Sequence, residues 1–183
     1  VSALQASAFG CAGERCMAGS IAVGVGDVAS RLVDNLVDKA GQMKVGRTDE
    51  GPDVDMGPVI SKEHMTKVMG YLDIAKNEGA TLALDGRSIT NHQSPSAGFI
   101  LGPSVIDQVE PNMRVAKEEI FGPVLSVIRA KTLDEALAIG KDCEYGNGAS
   151  IFTRDGYAAR QFKHHFNAGM IGINIGVPAP MAW

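Results

Sequence analysis

Helical and extended patterns alternate along nearly the whole chain, and this alternation limits the fold more than any other feature. Strand patterns read at 17–25, 81–84, 99–106, 123–130, 149–153 and 170–175, the run 99–106 being interrupted by Gly102-Pro103. Helical patterns read at 1–12, 27–43, 61–78, 132–142 and 155–166. Strands separated by helices of ten or more residues form βαβ units, and such units give an open, largely parallel sheet flanked by helices. The expected class is therefore α/β. At 183 residues the chain is long enough for one domain with a sizeable core.

Local start and stop signals sharpen several of these elements. Asp27, Ser61 and Thr132 are helix caps, and Glu135 stands three residues after Thr132 as in a capping box. Gly79 is where a left-handed residue closes a helix. The 27–43 helix is expected to turn Val28, Leu32, Leu36, Val37 and Ala40 inward, and the next helix Val68, Leu72 and Ala75. Residues 1–12 are small and apolar and read as a buried helix leading to a turn at Gly13. Residues 46–57 and 86–98 read as loops, the second exposed.

A net charge of −4 offers no electrostatic footprint for nucleic acid or an anionic membrane surface. No apolar run reaches the roughly 18 residues of a spanning helix. Three cysteines without framework spacing favour a reducing compartment over a disulfide scaffold. The missing initiator Met and the stop at Trp183 are read as a piece of a longer polypeptide.

Within Phe9-Gly10-Cys11-Ala12-Gly13-Glu14-Arg15-Cys16-Met17-Ala18, two thiols lie five residues apart with an arginine just before the second. Small residues let a backbone approach a substrate, and a guanidinium favours thiolate. A thiolate beside backbone N–H groups is equipped for covalent attack on a carbonyl. The competing reading makes Cys11 and Cys16 small buried hydrophobes. In Lys117-Glu118-Glu119-Ile120-Phe121-Gly122-Pro123-Val124, two carboxylates precede an aromatic and a Gly-Pro turn. Neighbours in an extended segment point to opposite sides, so one carboxylate faces a ligand and the other solvent. A carboxylate beside an apolar pair suits a ribose and its attached ring.

Other patterns carry less. Gly24-Val25-Gly26-Asp27-Val28-Ala29 matches a dinucleotide fingerprint, but its helix leads into the acidic loop at Asp49 where a second strand should be. Strand end and helix cap explain it better. Asp49, Glu50, Asp53 and Asp55 lack the spacing of a calcium loop. His164 and His165 diverge by about 100° on a helix and do not share a metal readily. His64 or His92 as the base of a papain-like cysteine stays open, with nothing in the sequence to favour it.

These segments, with Lys44-Val45-Gly46, Met56-Gly57-Pro58-Val59-Ile60 and Gly172-Ile173-Asn174, resemble the catalytic domain of the aldehyde dehydrogenase superfamily over nearly the whole chain. Gly13-Glu14-Arg15-Cys16-Met17-Ala18 and Gly172-Ile173-Asn174-Ile175-Gly176-Val177-Pro178-Ala179-Pro180 are similar to its coenzyme-A-acylating branch, methylmalonate-semialdehyde dehydrogenase. The resemblance implies that residues 1–183 are a catalytic, cysteine-bearing domain. It implies Cys16 as nucleophile, Glu119 as the carboxylate on the nicotinamide ribose of NAD, and Phe121 as the aromatic beside it. Coenzyme A is the implied cosubstrate. Arg15 is implied to hold the carboxylate of a small-molecule semialdehyde, for which a guanidinium fork is suited; a structural salt bridge is its plainer reading. Cys11 is expected to line the site, and Glu14 to be positional.

The implied reaction oxidises methylmalonate or malonate semialdehyde through a Cys16 thioester to propionyl-CoA or acetyl-CoA; a hydrolytic NAD(P)-dependent enzyme giving free acid and a catalytically silent domain fragment are the alternatives. The family's coenzyme-binding domain, its water-activating glutamate and its oligomer-forming tail fall outside the chain. The isolated chain is therefore expected to be inactive, and the full-length protein a homo-oligomer. The implied location is cytoplasmic in a bacterium and the mitochondrial matrix in a eukaryote.

Overall fold

The computed structural model describes residues 1–49, 51–88 and 98–177. Its centre is strand β4 (Val124–Ala130), whose sequence VLSVIRA is buried at six of seven positions. Alternate residues of a strand face opposite sides, so burial at both parities means that both faces of β4 are covered. β4 lies between β1 (Ile21–Val25) and β3 (Ser104–Asp107) and is parallel to both, while β2 (Thr81–Leu84) joins β3 antiparallel at one edge. The buried polar residue of β4, Ser126, donates its hydroxyl to the Val115 carbonyl at 3.2 Å, which offsets the cost of burying it. A separate parallel pair, β5 (Gly148–Ile151) and β6 (Met170–Ile173), is linked through α6 (Gly156–His165). The α/β class and the largely parallel pairing expected from the pattern are both present.

Helix α2 (Val28–Gly41) packs on β1, β2 and β3, α3 (Lys62–Asn77) on β2, and α5 (Leu133–Lys141) on β1 and β4. The buried side of α2 is Ala29, Val33, Leu36 and Ala40. Val28, expected inward, is exposed. The reason is tertiary: a Cβ on Gly24 would lie 2.7 Å from that of Ala29, so the bare glycine of β1 seats Ala29 against the strand and rotates Val28 out. The Gly24-x-Gly26 pattern is thereby accounted for as close strand–helix packing followed by a left-handed turn at Gly26.

Ser61 and Thr132 cap as read, but Asp27 makes no side-chain bond to α2, its own backbone being already helical at φ −69° and ψ −7°. Ser61 accepts from the His64 amide at 3.1 Å, Thr132 from the Glu135 amide at 3.2 Å, and Asp155 from the Tyr157 amide at 2.8 Å. Gly79 has φ +99° just past α3. Substitution Ser61→Ala is expected to cost about 1 kcal/mol, the usual loss for an N-cap, read as a lower urea midpoint at unchanged slope.

Three expectations need correction. α1 (Ser2–Phe9) is buried only at Ser7, Ala8 and Phe9, because its apolar and small residues make no stripe that the sequence alone could orient. Residues 17–20 are not strand; they belong to the turn that carries Cys16 into β1. A four-residue helix, α4 (Arg114–Lys117), precedes the carboxylate pair and was not expected. The loop expected at 86–98 begins with a buried Gly86 in a short 3-10 turn, and positions 89–97 lie outside the described residues, as does Glu50.

Candidate active site

The loop between α1 and β1 is strained where it turns. Cys11, Ala12 and Gly13 are consecutive left-handed residues, with φ of 54°, 54° and 70°. For residues with a side chain this costs roughly 1–2 kcal/mol each and persists only where surroundings enforce it. Here they do. Ala12 is buried, the Glu14 amide donates to the Cys11 carbonyl at 3.0 Å, and the Gly13 backbone lies against the carbonyl groups of Ala8 and Gly122. Arg15 folds back, Nη2 donating to the carbonyls of Ser7 at 3.1 Å and Ala6 at 3.4 Å at the end of α1. The Ala6 carbonyl also accepts from the Gly10 amide and that of Ser7 from the Gly19 amide, and a cation is favoured at this end of a helix. Arg15 makes no ion pair among the described residues, and its Nε is buried without a partner. The salt-bridge reading of Arg15 is replaced by a helix-end cap.

Cys16 emerges from this turn exposed, as do Cys11 and Cys143, so the reading of these cysteines as buried hydrophobes fails. The Cys16 carbonyl accepts from Asn147 Nδ2 at 3.0 Å, and the Met17 side chain covers Gly148. The nucleophile candidate is thus held from the β5 side as well as from α1.

The carboxylate segment alternates in a useful way. Ile120 and Gly122 are buried, Gly122 against Val68 of α3, while Glu119 and Phe121 are exposed. Glu118 is not simply solvated, as the pattern implied for the second carboxylate. It takes two bonds from Arg114, Nε to Oε1 at 2.6 Å and Nη2 to Oε2 at 2.9 Å, and a third from the Tyr71 hydroxyl at 2.8 Å. The Arg114 bonds, and after them that of Tyr71, hold the Glu118 carboxyl down at about 2. Burial, and then the Glu118 hydrogen bond, pushes the Tyr71 phenol up. Glu119 is exposed, and among the described residues no group pairs with it. A free carboxylate beside a half-exposed ring fits a ribose diol and a flat heterocycle.

The lowered Glu118 value has a definite sign. A depressed carboxyl adds stability that is fully present above its unfolded value near 4.5 and is lost as pH falls towards about 2. Arg114→Met is expected to flatten this part of the acid stability curve, read by urea unfolding at stepped pH; an unchanged acid slope would show that the pair does not couple to folding.

Two contacts join the loops. A Cβ on Gly13 would fall inside the van der Waals radius of the Gly122 carbonyl oxygen. His64 Nε2 lies 2.6 Å from the Phe121 carbonyl and 3.3 Å from Glu14 Oε1, and Glu14 Oε1 also accepts from the Ile60 amide at 3.2 Å. Phe121 is itself left-handed, at φ 58°. So the loops bearing Cys16 and Glu119–Phe121, a hundred residues apart in sequence, are neighbours in space. The sequence reading missed Asn147 and the bridging role of His64; only the Gly146-Asn147-Gly148 turn and the Ser61 cap gave a local signal there.

This arrangement has relatives. The family model described as "Aldehyde dehydrogenase family" matches residues 1–182. The chain belongs to the aldehyde dehydrogenase family. It is 46% identical over 177 residues to malonate-semialdehyde dehydrogenase 1 of Geobacillus thermodenitrificans, covering 97% of the chain and 36% of that relative. Malonate-semialdehyde dehydrogenase of Pseudomonas aeruginosa is 48% identical over 187 residues, covering 100% of the chain and 37% of that relative. The crystal structure of methylmalonate-semialdehyde dehydrogenase from Oceanimonas doudoroffii superposes with a TM-score of 0.92 at 45% identity, over 100% of the chain and 37% of the other. A candidate methylmalonate-semialdehyde dehydrogenase from Sinorhizobium meliloti 1021, complexed with NAD, gives 0.92 at 44%, over 100% and 37%. The chain therefore spans little more than a third of the length of these relatives.

Among the described residues no group of three or more His, Cys, Asp or Glu is placed to hold a metal ion, and no helix is long and apolar enough to cross a membrane. His164 and His165 stand in the last turn of α6, and Asp49 pairs with Arg47.

Proposed function

We propose that residues 1–183 are the catalytic domain of a longer, homo-oligomeric semialdehyde dehydrogenase of the coenzyme-A-acylating kind. The observation that carries this reading is the contact of the Cys16 loop with the Glu119–Phe121 loop at Gly13 and Gly122. It brings a candidate nucleophile beside a candidate ribose holder. Cys16, as thiolate, attacks the aldehyde carbon, and the carbonyl oxygen takes the charge of the resulting thiohemiacetal. Bound NAD would accept the hydride that turns this adduct into a thioester. Glu119 accepts from both ribose hydroxyls, and the Phe121 ring restricts the nicotinamide end, so that the reacting atoms meet at short range. Arg15 holds the substrate carboxylate through Nη1, the guanidinium nitrogen that is neither buried nor bonded to α1. The bond between the α carbon and the carboxylate breaks to release carbon dioxide, the α carbon takes a proton from solvent, and the thiol of coenzyme A, giving up its proton, displaces Cys16 as thiolate and takes the acyl group. Malonate semialdehyde yields acetyl-CoA and methylmalonate semialdehyde yields propionyl-CoA. The names and the identity of the relatives support this substrate class.

The test is product identification. Full-length protein is incubated with malonate semialdehyde and NAD, with and without coenzyme A. Acetyl-CoA formed only with coenzyme A is expected. Free acid as the sole product in both mixtures would replace this reading with a hydrolytic one. The 183-residue chain alone is expected to reduce no NAD.

A further inference from the structure

The His64 side chain touches both loops of the candidate site. Its ring, set in the first turn of α3 by the Ser61 cap, directs Nε2 at the Phe121 carbonyl and the Glu14 carboxylate together. His64 and Glu14 are both mostly buried, with side-chain exposures of 16% and 14%. The two groups facing Nε2 are acceptors only, so Nε2 must carry the proton that it offers them. With Nε2 so committed, the lone pair of the neutral ring is on Nδ1, which faces neither loop contact. The rings of His64 and Phe121 also meet edge to face, with centroids 6.5 Å apart at 70°.

We propose that His64 is a positioning residue, a latch that ties the Cys16 loop through Glu14 to the loop carrying Glu119 and Phe121 and so sets the distance between nucleophile and cofactor. Phe121 is held in a left-handed conformation and Glu14 follows three left-handed residues, so both ends of the latch belong to strained backbone. Strained segments relax unless neighbouring contacts oppose it, and His64 opposes it at both, by its hydrogen bond with the Phe121 carbonyl and by the 3.3 Å approach of Nε2 to the Glu14 carboxylate. Near its second anchor the Glu14 carboxylate is steadied by the Ile60 amide, which keeps the acceptor in place for the ring. The latch stands on these contacts alone; its catalytic consequence rests on the proposed roles of Cys16 and Glu119.

Amide hydrogen exchange of the whole chain, read on segments 10–16 and 118–123, tests the latch without substrate. His64→Ala is expected to speed exchange in both segments by about tenfold, the scale of one lost charge-assisted hydrogen bond. His64→Gln, whose amide nitrogen can replace Nε2, is expected to stay within about twofold of the parent. Glu14→Leu breaks only the far arm and should speed segment 10–16 alone; it decides the case if His64→Ala does not fold. Parent-like exchange in segment 10–16 for both His64→Ala and Glu14→Leu would overturn the latch.

The catalytic arm uses full-length protein. His64→Ala should lower kcat by about tenfold with the shape of its pH profile kept, and His64→Gln should restore it. Equal loss in both variants, with one ionisation missing from the profile, would mark His64 as an acid–base group and also overturn the proposal. If the parent itself reduces no NAD, the proposed function fails while the exchange data still decide the latch.

Discussion

Cys16→Ala is expected to abolish aldehyde-dependent NAD reduction by the full-length protein, lowering kcat by on the order of 10⁴-fold or more, as loss of a covalent nucleophile does. Cys11→Ala should cost far less, because Cys11 lies in the left-handed turn and not at its exit. The two substitutions therefore separate thiols that the sequence alone leaves side by side. Both cysteines are exposed, so neither change opens a cavity, and unchanged thermal unfolding is the control. Equal losses from both would place the chemistry elsewhere in the loop.

The second large effect is structural. Gly13→Ala places a methyl into the Gly122 carbonyl, a backbone atom that cannot rotate away. Left-handed φ is not the main obstacle, since Cys11 and Ala12 already carry side chains at φ 54°. The clash is. Overpacking and the conformational term together amount to about 3 kcal/mol, equivalent to a fall of roughly 10 °C in Tm for a domain of this size. Gly26→Ala isolates the smaller part: Gly26 has φ +62° with nothing within 4 Å of a Cβ, and about 1 kcal/mol is expected. If the two substitutions prove equally mild, the seating of one loop on the other is not what holds the site.

Much of the fold was legible because its signals are local. Ser61, Thr132, Asp155 and Gly79 announce helix ends through their own side chains or backbone freedom, and each stands where it was expected. Strand β4 reads from a mostly apolar run, interrupted by Ser126 and Arg129, because both its faces are covered. Features set by distant partners were not legible. Val28 and Ala29 are equally good inward residues until Gly24 of the neighbouring strand selects one. Glu118 and Glu119 read as a pair on opposite sides, but only Arg114 and Tyr71 show that the first is tied into the protein. The same holds for the site. Its residues were found by family resemblance, whereas the contacts that assemble them join positions 13 and 122, and 14, 64 and 121, which no periodicity connects. Arg15 shows the limit from the other side, because its chemistry suits a substrate carboxylate and its Nη2 is already bonded to α1.

A single turnover of the full-length protein with malonate semialdehyde and NAD, without coenzyme A, tests most directly the claim that Cys16 is the nucleophile. The reaction is quenched in acid and digested with trypsin, which cuts after Arg15 and so puts Cys11 and Cys16 on different peptides. The account predicts an acyl thioester on the peptide that begins at Cys16, formed together with NADH and lost when coenzyme A is added before the quench. An acyl group on the Cys11 peptide instead, or one whose amount is unchanged by Cys16→Ser, would contradict it.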